Sequence, residues 1–172
     1  MRKISYMGDV PGPLNVQCPR CGGKAEYDLP FDLYTAAQGE PPSEDRPLHR
    51  WGGWLVAEKY PSVKRWHAAA EGISESDGIV KCSQCHLVAE YTLRWPHDAY
   101  YQWDIRGNTL WAFNLEHARV LGEFLGSKDR DVTRFPQYAR SLMKIPGELL
   151  SAKVRDDIAT EISNILRREA KR

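Results

Sequence analysis

Four cysteines are the residues of this chain whose type and spacing point most directly to chemistry. They form two C-x-x-C pairs, Cys18 with Cys21 and Cys82 with Cys85, and the chain contains no other cysteine. Two thiolates at this spacing hold one side of a tetrahedral ion, and two such pairs complete a closed four-sulfur shell. The sequence therefore predicts one structural zinc ion bound by all four cysteines.

Each cysteine pair opens the same longer pattern, C-x-x-C-x-x-x-A-E-Y-x-L, which the chain carries twice. Gly22 and Gly23 follow the first pair, where a metal-binding turn needs a permissive backbone so that N–H groups can fold back towards the thiolates. Ala25, Tyr27 and Leu29 then alternate on one face of a predicted strand. We predict that each copy is a strand, a cysteine-bearing turn (a knuckle) and a second strand.

These paired hairpins resemble the four-cysteine zinc ribbons of transcription factors, RNA polymerase subunits and many small bacterial proteins. The resemblance covers residues 14 to 31 and 79 to 95. It implies that the four cysteines are the zinc ligands. Common ribbons separate their pairs by about 15 to 20 residues, whereas sixty residues lie between Cys21 and Cys82. We therefore expect a long insertion inside the ribbon.

The predicted insertion spans about residues 32 to 77 and is rich in aromatic side chains. The favoured interpretation of its large aromatics is that they fill the thin core of a small ribbon. Trp51 and Trp54, which flank two glycines, are the pair expected to be exposed, and they are the candidates for binding a partner by stacking or anchoring. The insertion is then either a flap packed on the ribbon or part of a binding surface.

An extra hairpin is predicted at residues 101–113, around the turn residues Arg106-Gly107-Asn108. Its first strand places three apolar residues on one face, and three residues of the second strand continue that face: Tyr101, Trp103, Ile105, Thr109, Trp111 and Phe113. The expected fold class is α+β. Residues 1–113 would form the ribbon with its insertion and hairpin, and residues 114–172 a helical region packed on it.

Three helices are predicted in the C-terminal region from apolar residues that recur at helical spacing. The first starts after the N-cap Asn114 and buries Leu115, Ala118, Leu121 and Leu125. The second starts near Pro136 and turns Tyr138, Leu142 and Met143 inward. The third covers Ala152 to Glu169, with an apolar stripe of Val154, Ile158, Ile162 and Ile165.

Charge is balanced over the whole chain but uneven along it. The net charge of +1 gives no global basic field. Lysine and arginine outnumber acidic residues between Ser127 and Arg155, which indicates either helices with solvated basic faces or a surface that contacts phosphates of DNA or RNA. The candidate nucleic-acid contacts are Arg20 and Lys24 at the first knuckle and Lys128, Arg130, Arg134, Arg140 and Lys144 in the helical region. A protein partner is the alternative.

Other cysteine chemistry fits the sequence less well. A redox pair needs a helix N-terminus beside it, and both pairs are predicted between strands. Cys82 to His86 matches the haem attachment motif C-x-x-C-H, but this motif leaves Cys18 and Cys21 without a role. A His-Asn-His nuclease is often braced by two C-x-x-C pairs, but it needs an Asp-His or His-His dipeptide between them, which this chain lacks.

No nucleophile–base pair or phosphate loop is recognisable, so we predict a non-enzymatic protein with no catalytic residues. His97-Asp98 follows a proline and is predicted to form a turn. His117 is predicted to lie exposed in the first turn of a helix. The first residues carry two basic side chains but no apolar run, and no run is long enough to span a membrane. We therefore expect a cytoplasmic location.

Overall fold

The structure is a computed structural model that describes residues 12–35, 48–51, 54–63, 77–105 and 107–169. These residues form antiparallel sheets and C-terminal helices, which confirms the predicted α+β class. The strands are β1 (Leu14–Gln17), β2 (Lys24–Asp28), β3 (Phe31–Thr35), β4 (Leu48–Trp51), β5 (Trp54–Glu58), β6 (Asp77–Lys81), β7 (Val88–Thr92), β8 (Tyr101–Ile105) and β9 (Asn108–Ala112). The α-helices are α1 (Leu115–Gly126), α2 (Ala139–Leu142) and α3 (Ala152–Glu169).

The chain divides into two compact units. The first unit contains Cys18–Trp95, and the second contains Pro96–Arg172 together with β1. All four cysteines lie in the first unit, and the three helices lie in the second. No helix among the described residues combines the length and the apolar character that a membrane span requires.

Strands β2, β6 and β7 adjoin the two knuckles. Strand β2 follows the first knuckle, β6 leads into the second, and β7 follows the second. Both pairings are antiparallel, and β6 lies in the middle, with Tyr27 opposite Val80 and Val80 opposite Ala89. Because side chains alternate along a strand, Ala25 and Tyr27 share a face with Val80, and all three are buried. This is the predicted face of β2, although Leu29 lies beyond the last residue of the strand.

The insertion contains a second sheet, in the order β3-β5-β4, with every pairing antiparallel. The central strand β5 buries Val56 and Ala57, and β3 buries Phe31 and Tyr34. The sequence predicted ordered, aromatic-rich segments here but not this sheet. Apolar residues on both faces of β5 hide the period-2 alternation that marks a half-buried strand.

A charged cluster around Asp28 joins the two sheets of the first unit. Asp28 ends β2, whereas Lys59 and Tyr60 follow β5. The Lys59 Nζ atom lies 2.6 Å from Asp28 Oδ1, and the Tyr60 hydroxyl donates to Asp28 Oδ2 at 2.7 Å. Lys59 Nζ is also 3.4 Å from Asp32 Oδ1. These contacts hold the end of β5 against the end of β2.

The extra hairpin shares a core with the helices, which differs from its predicted place in the ribbon domain 1–113. Ile105 pairs with Asn108, so Trp103 lies opposite Leu110 and Tyr101 opposite Ala112. Residues directly opposite each other point to the same face. The buried residues of β9 are therefore Leu110 and Ala112, and the prediction that Thr109, Trp111 and Phe113 continue the inner face was wrong by one position.

The helices of the second unit largely follow their predicted patterns. Asn114 caps α1 and accepts a hydrogen bond from the His117 backbone N–H. Ala118, Leu121 and Leu125 of α1 are buried, as are Val154, Ile158 and Ile162 of α3. Met143 is 66% exposed, contrary to the prediction. Helix α2 is a single turn that ends at Leu142, so helical spacing does not carry the next side chain inward.

His117 is buried, which corrects the prediction that it is exposed. Its ring stacks on Tyr138, with 4.6 Å between ring centroids and 3° between planes, and on Phe113 at 4.9 Å. The Phe113 backbone N–H donates to Nδ1, so Nε2 carries the proton and donates to Ser141 Oγ, 3.0 Å away. Ser141 Oγ in turn donates to the Tyr138 carbonyl. A neutral, fully bonded imidazole is therefore part of the core.

Burial of His117 makes the stability of the second unit sensitive to acid. Burial lowers the pKa of His117 from its ordinary value of 6.5 to about 4. Below pH 6.5 the unfolded chain binds a proton that the folded chain does not, so stability falls as the pH is lowered towards 4. We expect a loss of about 2 kcal/mol between pH 7 and pH 5 from this residue. Urea unfolding of wild type and of His117→Gln at both pH values measures it.

The His117→Gln variant is also the control in this comparison. Acid effects from other groups, including the cysteines, are common to both proteins and cancel in the difference. Equal losses of stability in wild type and variant would contradict the assigned role of His117.

Candidate metal centre

Both knuckles are built in the same way. The backbone N–H of Cys18 donates to the carbonyl of Gly23 at 2.8 Å, and the N–H of Cys82 donates to the carbonyl of Leu87 at 2.9 Å. In each case the first cysteine of the pair bonds the residue five positions later. The duplicated sequence pattern therefore corresponds to a duplicated backbone fold, and the turn brings the second cysteine of each pair back beside the first.

The residue after each cysteine pair has a left-handed backbone. Gly22 has φ +70° and His86 has φ +56°. Glycine adopts this conformation without a steric penalty, whereas a residue with a Cβ atom rarely does. The turn geometry thus explains Gly22. His86 occupies the equivalent backbone position in the second knuckle. Its side chain is exposed and lies outside the sulfur cluster.

The four sulfur atoms converge on one point. All four Sγ atoms lie within 4.8 Å of one another. Cys18 Sγ is 3.6 Å from Cys85 Sγ, and Cys21 Sγ is 3.7 Å from Cys82 Sγ, so each close pair joins the two knuckles. These distances are far longer than a disulfide bond of about 2.05 Å. They match the separation of about 3.8 Å between ligands around a tetrahedral ion with bonds of about 2.3 Å.

The cluster is half enclosed by the protein. Cys18 and Cys82 are buried, Cys85 is partly buried and Cys21 is exposed. The first cysteine of each pair is thus buried, and the second lies nearer to solvent. Burial therefore limits how far the sulfur atoms can move apart, and the Cys21 side of the cluster lies close to the surface.

Backbone N–H groups point at the sulfurs and change their acidity. Hydrogen bonds from the N–H of Cys85 and then of Gln84 lower the pKa of Cys82 to about 7. The N–H of Gly23 lowers the pKa of Cys21, but burial and the neighbouring sulfurs outweigh it and raise that pKa to about 12. Burial is the main cause that raises the pKa of Cys85. Four thiolates this close repel one another, so the set is fully ionised only around a cation.

The donor set and its geometry therefore fit a bound metal ion. The predicted ligands Cys18, Cys21, Cys82 and Cys85 are brought together, and they are the one such group that the described part of the chain contains. This arrangement gives all four cysteines one role, which the haem alternative did not.

Comparisons of the chain with protein-family models, with curated proteins and with solved structures give no match. We therefore argue the function from the geometry and chemistry of the chain's own residues.

The predicted nucleic-acid contacts lie in both units. At the first knuckle Arg20 is exposed and Lys24 is half buried. In the second unit four of the five predicted side chains are exposed: Lys128, Arg134, Arg140 and Lys144. Their binding of nucleic acid stays a prediction.

Two of these arginines already have partners within the protein. Arg134 Nη2 lies 2.8 Å from Glu123 Oε1, and its guanidinium is 5.5 Å from the centroid of the Phe135 ring. The half-buried Arg130 donates from Nη1 to the carbonyl of Leu150 at 2.9 Å. The Arg130 side chain therefore already binds a backbone carbonyl of the protein. Arg134 is held at the surface by an exposed ion pair.

The predicted partner-binding residues Trp51 and Trp54 are described only in their backbone, where they pair across β4 and β5. Their role stays a prediction.

His49 lies on β4, with Nε2 2.7 Å from the buried Glu58. Trp95 to Asp98 form the predicted turn, in which His97 is exposed and Asp98 buried.

One arrangement outside the metal centre resembles a catalytic pair, namely Ser141 with His117. A general base needs a free Nε2 lone pair facing the hydroxyl. Here Nδ1 accepts from the backbone, so Nε2 is the protonated atom and donates to the serine. This tautomer cannot take the proton of Ser141, and the pair is a core hydrogen bond.

Sequence patterns missed two features beside the metal centre. Lys81 pairs with Glu26 across the sheet, and Gly78 lies where Tyr27 approaches the backbone of β6. Both features depend on the pairing of β2 with β6, which could not be predicted across the sixty residues between the cysteine pairs. Two signals could have indicated it: residues of opposite charge that can pair across a sheet, and a glycine inside a predicted strand.

Proposed function

We propose that the four cysteines hold one Zn²⁺ ion and that this zinc ribbon is the structural centre of a non-enzymatic module that binds nucleic acid. The convergence of the four sulfur atoms within 4.8 Å supports the metal. A cage this small encloses a single ion, which disfavours iron–sulfur clusters with several metals. Zinc suits the site because it is tetrahedral, redox-inert and bound well by thiolates.

A structural role follows from the closed ligand set. Catalytic zinc keeps one position open for water or substrate, whereas four protein ligands fill the shell. The two knuckles, each preceded by one strand and followed by another, support the ribbon. Elemental analysis of protein purified without added metal should give one zinc per chain. Folded protein free of zinc, or protein that carries iron instead, would refute this part of the proposal.

The exposed basic side chains of the second unit support nucleic acid as the partner. Lysine and arginine contacts with phosphates release counterions, so affinity should fall steeply as salt rises. The double variant Arg134→Ala with Arg140→Ala should weaken binding and flatten the plot of log affinity against log salt by about one to two units of slope. Filter binding of single- and double-stranded DNA and RNA over a range of salt concentrations measures both effects.

Glu123→Gln is the matched control for this experiment. It removes the carboxylate that lies 2.8 Å from Arg134, so the guanidinium becomes free to contact phosphate and affinity should rise. A titration at low salt that retains no DNA or RNA would refute the nucleic-acid partner and favour the protein partner instead. In that case, Trp51→Ala and Trp54→Ala should abolish co-purification of the protein.

A further inference from the structure

A cleft of about 390 Å³ opens in the first unit beside the second knuckle. Its lining combines basic, acidic and apolar side chains with one of the metal ligands. The residues that matter for its charge are Lys24, Glu26, Lys81 and Cys82. Because Cys82 contributes to the wall of this cleft, the charges around it act on the metal centre.

Lys24 and Lys81 are attached to the backbone next to the Cys82 sulfur. Lys81 directly precedes Cys82, and the carbonyl oxygen of Lys24 lies 3.7 Å from Cys82 Sγ. Lys81 pairs with Glu26 on β2 and with Val88 on β7, so these three residues form one row across the sheet. Lys81 Nζ is 3.8 Å from Glu26 Oε2 and 4.0 Å from Asp28 Oδ2, so two carboxylates oppose its charge.

The charge of the metal centre gives these lysines a role. Four thiolates around a divalent ion leave a net charge of about −2, which the backbone N–H groups offset only in part. We infer that Lys24 and Lys81 are the counter-charges of the metal centre and that Glu26 opposes them. This inference rests on the proposed zinc site and names residues that tune its affinity.

The same charges decide against an anion site in the cleft. Two lysines would suit a phosphate or a carboxylate if they stood alone. Glu26 and the net negative centre outweigh them, so the surroundings of the cleft repel an anion. The lysines are therefore positioning residues for the centre, because they act through the thiolates and do not ligate the ion.

A charge series on the cleft tests the inference through zinc affinity, measured by competition with a chromogenic chelator at neutral pH. Lys24→Met and Lys81→Met should each weaken zinc binding by about 3- to 10-fold, the range expected for one charge near a partly screened surface site. Glu26→Gln should strengthen binding by a similar factor. At about 1 M salt, where screening acts within about 3 Å, these differences should shrink towards zero.

The opposite signs separate an electrostatic role from a structural one. Lys81 also lies over the Tyr60 ring at 5.5 Å, so if Lys81→Met does not fold, Lys24→Met carries the test. Arg50→Met is the matched control, because it removes one exposed charge of the first unit that does not line the cleft. Zinc-free wild-type protein would refute the zinc site itself. Three results would refute only the counter-charge role. The variants would bind zinc with wild-type affinity, all variants including Glu26→Gln would bind it more weakly, or the differences in affinity would not depend on salt.

Discussion

Replacing Cys82 with serine should unfold the first unit of the protein and leave the helices of the second unit in place. A serine hydroxyl stays protonated at neutral pH and is a poor zinc ligand, so three thiolates would remain. Structural zinc contributes on the order of 10 to 16 kcal/mol to the folding of small zinc-finger peptides. That contribution is of the same size as the total stability of about 5 to 15 kcal/mol of a typical domain.

Because the chain forms two units, the expected result is specific to one of them and is more informative than a loss of solubility. Because α1, α2 and α3 lie outside Cys18–Trp95, the helical circular dichroism signal should persist in the Cys82→Ser variant. Limited proteolysis should cut within the first unit, and added zinc should not protect it. Ser83→Ala changes an exposed residue of the same knuckle and should behave as wild type. A serine variant with wild-type protease resistance would show that the metal is dispensable for folding.

Gly78→Ala should destabilise the first unit by about 3 kcal/mol. A Cβ atom at this position would lie 2.5 Å from Tyr27 Cζ and 2.6 Å from the carbonyl oxygen of Asp28. The carbonyl is part of the backbone of β2, where Asp28 pairs with Ile79, so it cannot move without loss of sheet pairing. Because β6 leads directly into Cys82, the variant should also lose zinc to a chelator faster than wild type.

Gly126→Ala is the control for the added methyl group. Gly126 ends α1, and a Cβ atom there would meet no heavy atom within 4 Å. Its thermal or urea midpoint should therefore stay at the wild-type value or rise. Wild-type stability in Gly78→Ala would mean that β2 and β6 are not packed as closely as the structure places them.

The cysteine cluster and the strands next to it could be predicted because their signals are local. Each C-x-x-C pair and the alternation after it lie within a dozen residues, and the pattern occurs twice. The N-cap of α1 and the apolar stripes of α1 and α3 are likewise set by residues three or four positions apart. In these segments the local preference and the final packing agree.

Features that depend on exact strand register or on tertiary packing could not be predicted. The inner face of β9 depends on a two-residue turn that pairs Ile105 with Asn108, and a shift of one residue exchanges the two faces. His117 carries a polar side chain at a helix start, and only the rings of Tyr138 and Phe113 make it part of the core. The sheet of the insertion likewise depends on the pairing of β5 with β3, which lies well before it in the chain.

The join between the insertion and the ribbon has a consequence for how the protein folds. The Lys59 N–H donates to the Pro30 carbonyl at 2.8 Å, and Phe31 pairs with Glu58, so the chain enters and leaves the insertion sheet at one place. Once this sheet has formed, the free path between the two cysteine pairs is roughly half as long. Halving a loop changes its closure entropy by only about 0.6 kcal/mol. The gain is therefore kinetic: if the β3-β5-β4 sheet forms early, fewer free residues separate the two thiolate pairs and they meet sooner.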